Sequence, residues 1–180
     1  MSTHTDGPDP RLAGVRLIAL DVDGVLTDGS ISYDAYGRPG QLQTFNVKDG
    51  AAFGWLRDAG VQVAWITGRG CPATRTRARE LGVEELHVKV RDKAAALADV
   101  QQRLGISPEE TAAMGDDLAD LGLAEGSGFF AAPADACHEV RERADLITHA
   151  AGGRGAVREL AEAVLRARGA WDAVVRRYAR

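Results

Sequence analysis

Short apolar runs alternate with helical stretches along almost the whole of this 180-residue chain. Gly60, Gly82 and Gly105 each follow a helical stretch, where a helix ends favourably in a left-handed residue. The pattern predicts strands over Val15–Leu20, Gln62–Ile66, Glu85–Val88, Thr111–Met114, Gly128–Ala131 and Asp145–Ile147. It predicts helices over Gly50–Ala59, Pro72–Leu81, Lys93–Leu104, Leu118–Ala124, Ala136–Arg143 and Ala156–Arg168. Repeated βα units of this kind fold as an α/β, doubly wound parallel sheet whose right-handed crossovers place helices on both faces. The expected layout is a flexible N-terminal tail (1–11), one folded domain (12–168) and a C-terminal tail (169–180). In that last segment Trp171, Val174, Val175 and Tyr178 recur at helical spacing, which suits packing on the chain's own body or on a sister subunit.

One interval breaks the rhythm. Ser30–Tyr33 and Gln43–Val47 flank a turn-forming stretch that includes Asp34, Gly37, Pro39 and Gly40, and together they read as a β-hairpin. It would act as a flap over whatever lies at the end of the first strand.

Composition narrows the function classes. With 22 Lys and Arg against 26 Asp and Glu, the net charge is −4, so nothing in the total points to nucleic acid or to an anionic membrane. No stretch approaches the length of apolar sequence that spans a bilayer, and the polar first residues lack a signal-peptide core. A cytoplasmic location is the expectation. Cys71 and Cys137 form neither a metal-binding pair nor a disulfide framework.

The first strand holds the main chemical signal. Its apolar run, Leu17-Ile18-Ala19-Leu20, is what a strand buried on both faces requires, and it ends in Asp21-Val22-Asp23-Gly24. The two carboxylates fall at the carboxyl end of a parallel strand, where open α/β sheets bind ligands. A divalent metal with oxygen ligands is the simplest way to offset their repulsion. Three further clusters fall at strand or helix ends: Ile66-Thr67-Gly68-Arg69, Lys93, and Met114-Gly115-Asp116-Asp117. Together they supply a carboxylate nucleophile, a second carboxylate, a hydroxyl with backbone N–H groups, a lysine and a late pair of acids. That set fits phosphoryl transfer, which needs positioning and charge neutralisation around a phosphate. Asp49 reads as the N-cap of the helix that follows it.

These residues also show a resemblance. Asp-Val-Asp-Gly-Val-Leu-Thr-Asp-Gly (21–29), Ile-Thr-Gly-Arg (66–69), the helix-opening Lys93 and Gly-Asp-Asp-Leu-x-Asp (115–120) resemble the haloacid dehalogenase-like phosphatases. Phe-Asn-Val-Lys-Asp-Gly (45–50), Arg-Ala-Arg-Glu-Leu-Gly (77–82) and Ala-Gly-Gly-Arg-Gly-Ala-Val-Arg-Glu (151–159) are similar to the 3-deoxy-octulosonate 8-phosphate phosphatase group within them. The resemblance implies that Asp21 is the nucleophile and Asp23 the general acid and base. It implies Mg²⁺ held by the Asp21 side chain, the Asp23 backbone carbonyl and Asp116, with Asp117 in support. Thr67, Gly68 and Lys93 would hold the transferring phosphate. The implied substrate is a small phosphorylated sugar acid, 3-deoxy-D-manno-octulosonate 8-phosphate first. The alternatives are a nonulosonate 9-phosphate, or a sugar or nucleoside phosphate of a specialised pathway.

The spacing between Asp21, Thr67, Lys93 and Asp116 leaves no room for a separate cap domain. Capless relatives, the resemblance implies, form homotetramers in which a neighbouring subunit closes each site. Arg69, Arg77 and Arg154 could each recognise a substrate carboxylate through a bidentate fork, or serve in a surface or interface salt bridge.

Overall fold

The computed structural model describes residues 9–36 and 42–179. Six parallel strands form one sheet: β1 (Leu17–Leu20), β2 (Gln62–Thr67), β3 (Glu85–Val88), β4 (Thr111–Met114), β5 (Phe129–Ala132) and β6 (Leu146–Ile147). Their order is β3-β2-β1-β4-β5-β6. The first strand therefore lies in the middle, pairing Leu20 with Trp65 of β2 on one side and with Met114 of β4 on the other. The connections after β1 and after β4 run in opposite directions across the sheet. The crevice between their carboxyl ends is the topological switch point, where such sheets bind ligands.

Strand periodicity divides the core in two. On one face Ile18, Leu20, Trp65, Met114 and Phe129 meet Phe53 and Leu56 of α1 (Val47–Asp58) and Val157, Leu160 and Val164 of α6 (Ala156–Ala167). On the other face Leu17, Ala19, Ile66, Ala113 and Phe130 meet Leu97 and Val100 of α3 (Lys93–Leu104), Leu123 of α4 (Leu121–Glu125) and Val140 of α5 (His138–Arg143). All four β1 residues are essentially inaccessible, as a strand covered on both faces must be. The remaining helix of the doubly wound layer, α2 (Pro72–Leu81), packs beside α1.

The six predicted sheet strands and six predicted helices are present, some with shifted ends. Helices α2 and α3 span the expected residues, and Gly60, Gly82 and Gly105 all adopt the left-handed conformation that ends a helix. The stretch after Asp117 divides into a 3-10 turn (Leu118–Asp120) and α4, and α5 begins two residues later than expected. Helix α1 begins at Val47 because Asn46, whose side chain accepts from the Lys48 N–H at 2.8 Å, is its N-cap. Asp49 is therefore not that cap, which corrects the sequence expectation. It lies inside the first turn of α1, is 1% exposed, and accepts from the N–H groups of Gly155 and Arg158 at 3.2 and 2.8 Å. It caps α6, more than a hundred residues downstream, and its burial pushes its pKa up despite those hydrogen bonds.

The hairpin expectation falls partly on residues 37–41, outside the described residues. Among those described, Tyr33 makes an isolated bridge and neither 30–33 nor 43–47 forms a strand. Most of the expected N-terminal tail, residues 1–8, also lies outside the described residues. A 3-10 turn over Pro10–Gly14 then buries Leu12 and packs against α6. The C-terminal segment forms α7 (Trp171–Tyr178), which folds back on the chain's own body. Its Trp171 packs edge-on to Trp55 at 5.6 Å, and the Trp55 indole N–H donates to the Tyr178 hydroxyl at 3.2 Å. No described helix is long and apolar enough to cross a membrane.

Candidate active site

The carboxyl ends of β1, β2 and β4 bring most of the predicted residues together. Asp21 directly follows β1, and its N–H still donates to the Met114 carbonyl at 3.1 Å, so the central strand fixes its backbone. Its carboxylate is 4% exposed and accepts from Lys93 Nζ at 2.5 Å. Lys93 opens α3, which Asp92 caps by accepting from the Ala95 N–H at 2.9 Å. The ammonium is equally buried, and it also donates to Asp120.

Asp120 is the residue that sequence reasoning left without a role. Folded back by the 3-10 turn, it is 1% exposed, and its second oxygen accepts from the N–H groups of Asp116 and Asp117 at 2.9 and 3.3 Å. Its spacing of four from Asp116, inside the Gly-Asp-Asp-Leu-x-Asp motif, was the available signal. Carboxylate oxygens of Asp21, Asp116 and Asp120 lie within 4.8 Å of one another, a donor set suited to a hard divalent cation.

Electrostatics match that geometry. Burial and the neighbouring Asp120 push the Asp21 pKa up, against the pull of Lys93. Burial, then Asp120 and Asp21, push Asp116 up to about 8. Burial works against the Lys93 ammonium, but Asp21 and Asp120 outweigh it and hold its pKa above the ordinary value. Such a cluster is short of positive charge, and a dication would supply it.

A second group forms around Asp23. Its carboxylate takes no part in the acidic cluster. One oxygen accepts from Gln43 Nε2 at 2.8 Å and the other from the Thr67 hydroxyl at 3.2 Å, with Arg69 Nε at 4.0 Å. Thr67 ends β2, is 1% exposed, and its hydroxyl oxygen accepts from the Arg69 N–H at 3.1 Å. Gly68 follows it in the exposed turn. The turn between Asp21 and Thr27 closes through the Val22 carbonyl, which accepts from Leu26 and Thr27 at 2.9 and 3.0 Å.

Two glycines allow this crowding. Gly24 has φ +102°, and a Cβ there would lie 2.0 Å from an Asp116 carboxylate oxygen. A Cβ on Gly152 would lie 1.8 Å from the Gly24 carbonyl oxygen, so the Gly152-Gly153 backbone presses directly on the turn between Asp21 and Thr27. Gly153 N–H also donates to the Val25 carbonyl at 2.9 Å.

The other predicted residues are placed less centrally. Asp117 is exposed and caps its own 3-10 turn by accepting from the Leu118 N–H at 2.8 Å, so its carboxylate stands outside the acidic cluster. Arg154 lies 3.4 Å from Asp28. Arg77 lies against Gly50 of α1 and bonds Glu80 at 3.2 Å, while its buried Nε makes no hydrogen bond among the described residues.

A doubly wound sheet with an aspartate pair after its central strand, and a buried lysine facing it from the third crossover, defines a haloacid dehalogenase-like hydrolase working on phosphomonoesters. A family model described as haloacid dehalogenase-like hydrolase matches residues 82–160. The 3-deoxy-D-manno-octulosonate 8-phosphate phosphatase of Salmonella typhi is 42% identical over 172 residues, covering 96% of this chain and 89% of that protein. A crystal structure of the Moraxella catarrhalis enzyme of that name, in complex with magnesium, phosphate and KDO, superposes with TM-score 0.89 and 36% identity over 93% of this chain and 95% of that one. The cobalt-bound Haemophilus influenzae enzyme gives TM-score 0.84 and 37% identity over 88% and 92%. The chain belongs to the 3-deoxy-D-manno-octulosonate 8-phosphate phosphatase family.

Proposed function

We propose that this protein hydrolyses 3-deoxy-D-manno-octulosonate 8-phosphate, releasing the free sugar acid and inorganic phosphate. The observation that carries the reading is the buried Asp21–Lys93 pair beside Asp116 and Asp120, at the switch point of a chain so similar to enzymes of that name. An Asp21 oxygen attacks phosphorus, and the bond to the leaving sugar oxygen breaks, giving an aspartyl-phosphate. Asp23 gives its proton to the departing alkoxide, then takes one from the water that attacks the phosphorus in the second step, as the bond from phosphorus to the Asp21 oxygen breaks and frees the carboxylate and inorganic phosphate. Lys93 balances phosphate charge, and the Thr67 hydroxyl and Gly68 N–H hold phosphate oxygens.

The donor set fits Mg²⁺, which Asp21, Asp116 and Asp120 would hold together with the Asp23 backbone carbonyl. Bound there, it would neutralise charge on the transferring phosphoryl group. Asp117 would act on that set only through water. Arg69, beside Asp23 and largely exposed, is placed best of the three arginines to meet a substrate carboxylate. Ile31, Tyr33, Tyr36, Leu42 and Val47 are all exposed on the segment that reaches the site through Gln43, which supports closure by a neighbouring subunit in a homotetramer.

Phosphate release with Mg²⁺ tests the reading. The panel comprises the octulosonate 8-phosphate, a nonulosonate 9-phosphate, a hexose 6-phosphate, a nucleoside monophosphate and p-nitrophenyl phosphate. The expected order places the octulosonate ester first by kcat/KM. Equal turnover of the aryl ester overturns the substrate, and turnover retained by Asp21→Asn overturns the aspartyl-phosphate.

A further inference from the structure

The Asp23 carboxylate needs a fixed direction, because one of its oxygens must face the leaving-group oxygen while the phosphoryl group moves. Among the described residues each oxygen has one close donor, Gln43 Nε2 on Oδ1 and the Thr67 hydroxyl on Oδ2. Thr67 has a single hydroxyl proton. Once it donates to a bound phosphate it no longer donates to Asp23, and Oδ2 is released toward the substrate. Among the described residues Gln43 is then the remaining close neutral donor to this carboxylate.

Gln43 is itself held. Its Oε1 accepts from the Thr74 hydroxyl at 2.6 Å, and Thr74, in the first turn of α2, is 1% exposed. These partners fix the amide's orientation. Its NH₂ donates to Oδ1 of Asp23, and the carbonyl oxygen is left for the Thr74 hydroxyl. The chain Thr74–Gln43–Asp23 thus ties the catalytic turn to the rigid start of α2 and to the segment over the site mouth.

We propose that Gln43 is a positioning residue for phosphoryl transfer: braced by Thr74, its amide holds Oδ1 of Asp23 so that Oδ2 faces the leaving-group oxygen. This rests on the reading of Asp23 as the proton donor. The step it serves is the breaking of the Asp23 O–H bond as the O–H bond of the leaving alcohol forms, so its value depends on the leaving group. A sugar alkoxide needs that proton, and p-nitrophenolate scarcely does.

The test compares kcat/KM with Mg²⁺, which reports only the steps up to the aspartyl-phosphate and so leaves out the hydrolysis that both substrates share, on the preferred sugar phosphate and on p-nitrophenyl phosphate, for Gln43→Leu, Thr74→Val and Asp23→Asn. Gln43→Leu should lower the sugar-to-aryl ratio of kcat/KM values about tenfold or more, since misplacement of a reacting group by ~1 Å costs up to ~100-fold. Thr74→Val should move the ratio the same way by less, with both variants melting near wild type. In an Asp23→Asn background, adding Gln43→Leu should leave the ratio where Asp23→Asn put it. An equal loss on both substrates in Gln43→Leu, or an unchanged ratio, overturns the positioning role while a lowered ratio in Asp23→Asn leaves the proton-donor reading standing. If Asp23→Asn itself lowers both substrates equally, the proton-donor reading falls and the proposal with it.

Discussion

Lys93→Met puts the acidic cluster to a direct thermodynamic test. The ammonium is 7% exposed and bonds both Asp21 and Asp120, which are 4% and 1% exposed, with Asp116 close by. Methionine keeps most of the aliphatic stem, so the perturbation is mainly loss of charge. Removing one partner of a buried ion pair leaves an uncompensated charge and costs about 3–5 kcal/mol. For a domain of this size, a melting shift of roughly 2–4 °C per kcal/mol makes that a fall of roughly 6–20 °C. The assay is thermal unfolding by circular dichroism at pH 7.5 in EDTA, repeated across a Mg²⁺ series. Mg²⁺ at a hundred times its dissociation constant should return about 2.7 kcal/mol, because the dication replaces the missing charge. A variant that melts in EDTA within ~2 °C of wild type (under about 1 kcal/mol) would refute the reasoning, since Lys93 would then offset none of the repulsion.

Three further outcomes follow from particular contacts. Asp116, pushed up to about 8, keeps in the metal-free fold a proton that the unfolded chain loses near the ordinary value of 3.8. Its contribution to stability is therefore full at acid pH and lost as pH rises through about 8. Mg²⁺ competes for the same site, so its calorimetric affinity should rise from pH 6 to 8; a flat profile contradicts this. Lys89 is the one non-glycine described with positive φ, at 58°. Lys89→Gly should therefore raise stability by about 1 kcal/mol, read as a higher midpoint in urea; a lower midpoint shows that its stem, packed on Gly70, matters more. Gly152→Ala drives a methyl into the Gly24 carbonyl, and backbone cannot swing aside. It should cost on the order of 100-fold in kcat, whereas Gly14→Ala, with nothing within 4 Å, should match wild type.

The sheet was legible because a parallel strand buried on both faces has to be written in apolar residues, and Leu17–Leu20 is. Asp21, Lys93 and Asp116 were legible for a related reason: each falls at the end of a regular element, where sequence spacing translates into position. Gln43 was not. It lies in irregular chain with no period to place it, and its partners Asp23 and Thr74 are 20 and 31 residues away. Asp49 failed differently. An aspartate near a helix start is ordinarily a local cap, but burial aimed this one at α6, where Gly155 and Arg158 offered free N–H groups. Local preference named the right kind of bond and the wrong helix.

The contact between Gly152-Gly153 and the turn at Gly24–Thr27 also sets an order of events. A growing chain emerges N-terminus first, so β1 and its two aspartates leave the ribosome long before β4 exists to pair with them. The turn gains its contact with residues 152 and 153 after all six strands have been made. A chain that stops short of residue 152 holds Asp21 and Asp23 without the backbone that presses on the turn between them and Thr27. The surroundings of Asp21 are thereby completed only after the sixth strand, when the loop leading into α6 closes over the turn that follows the first.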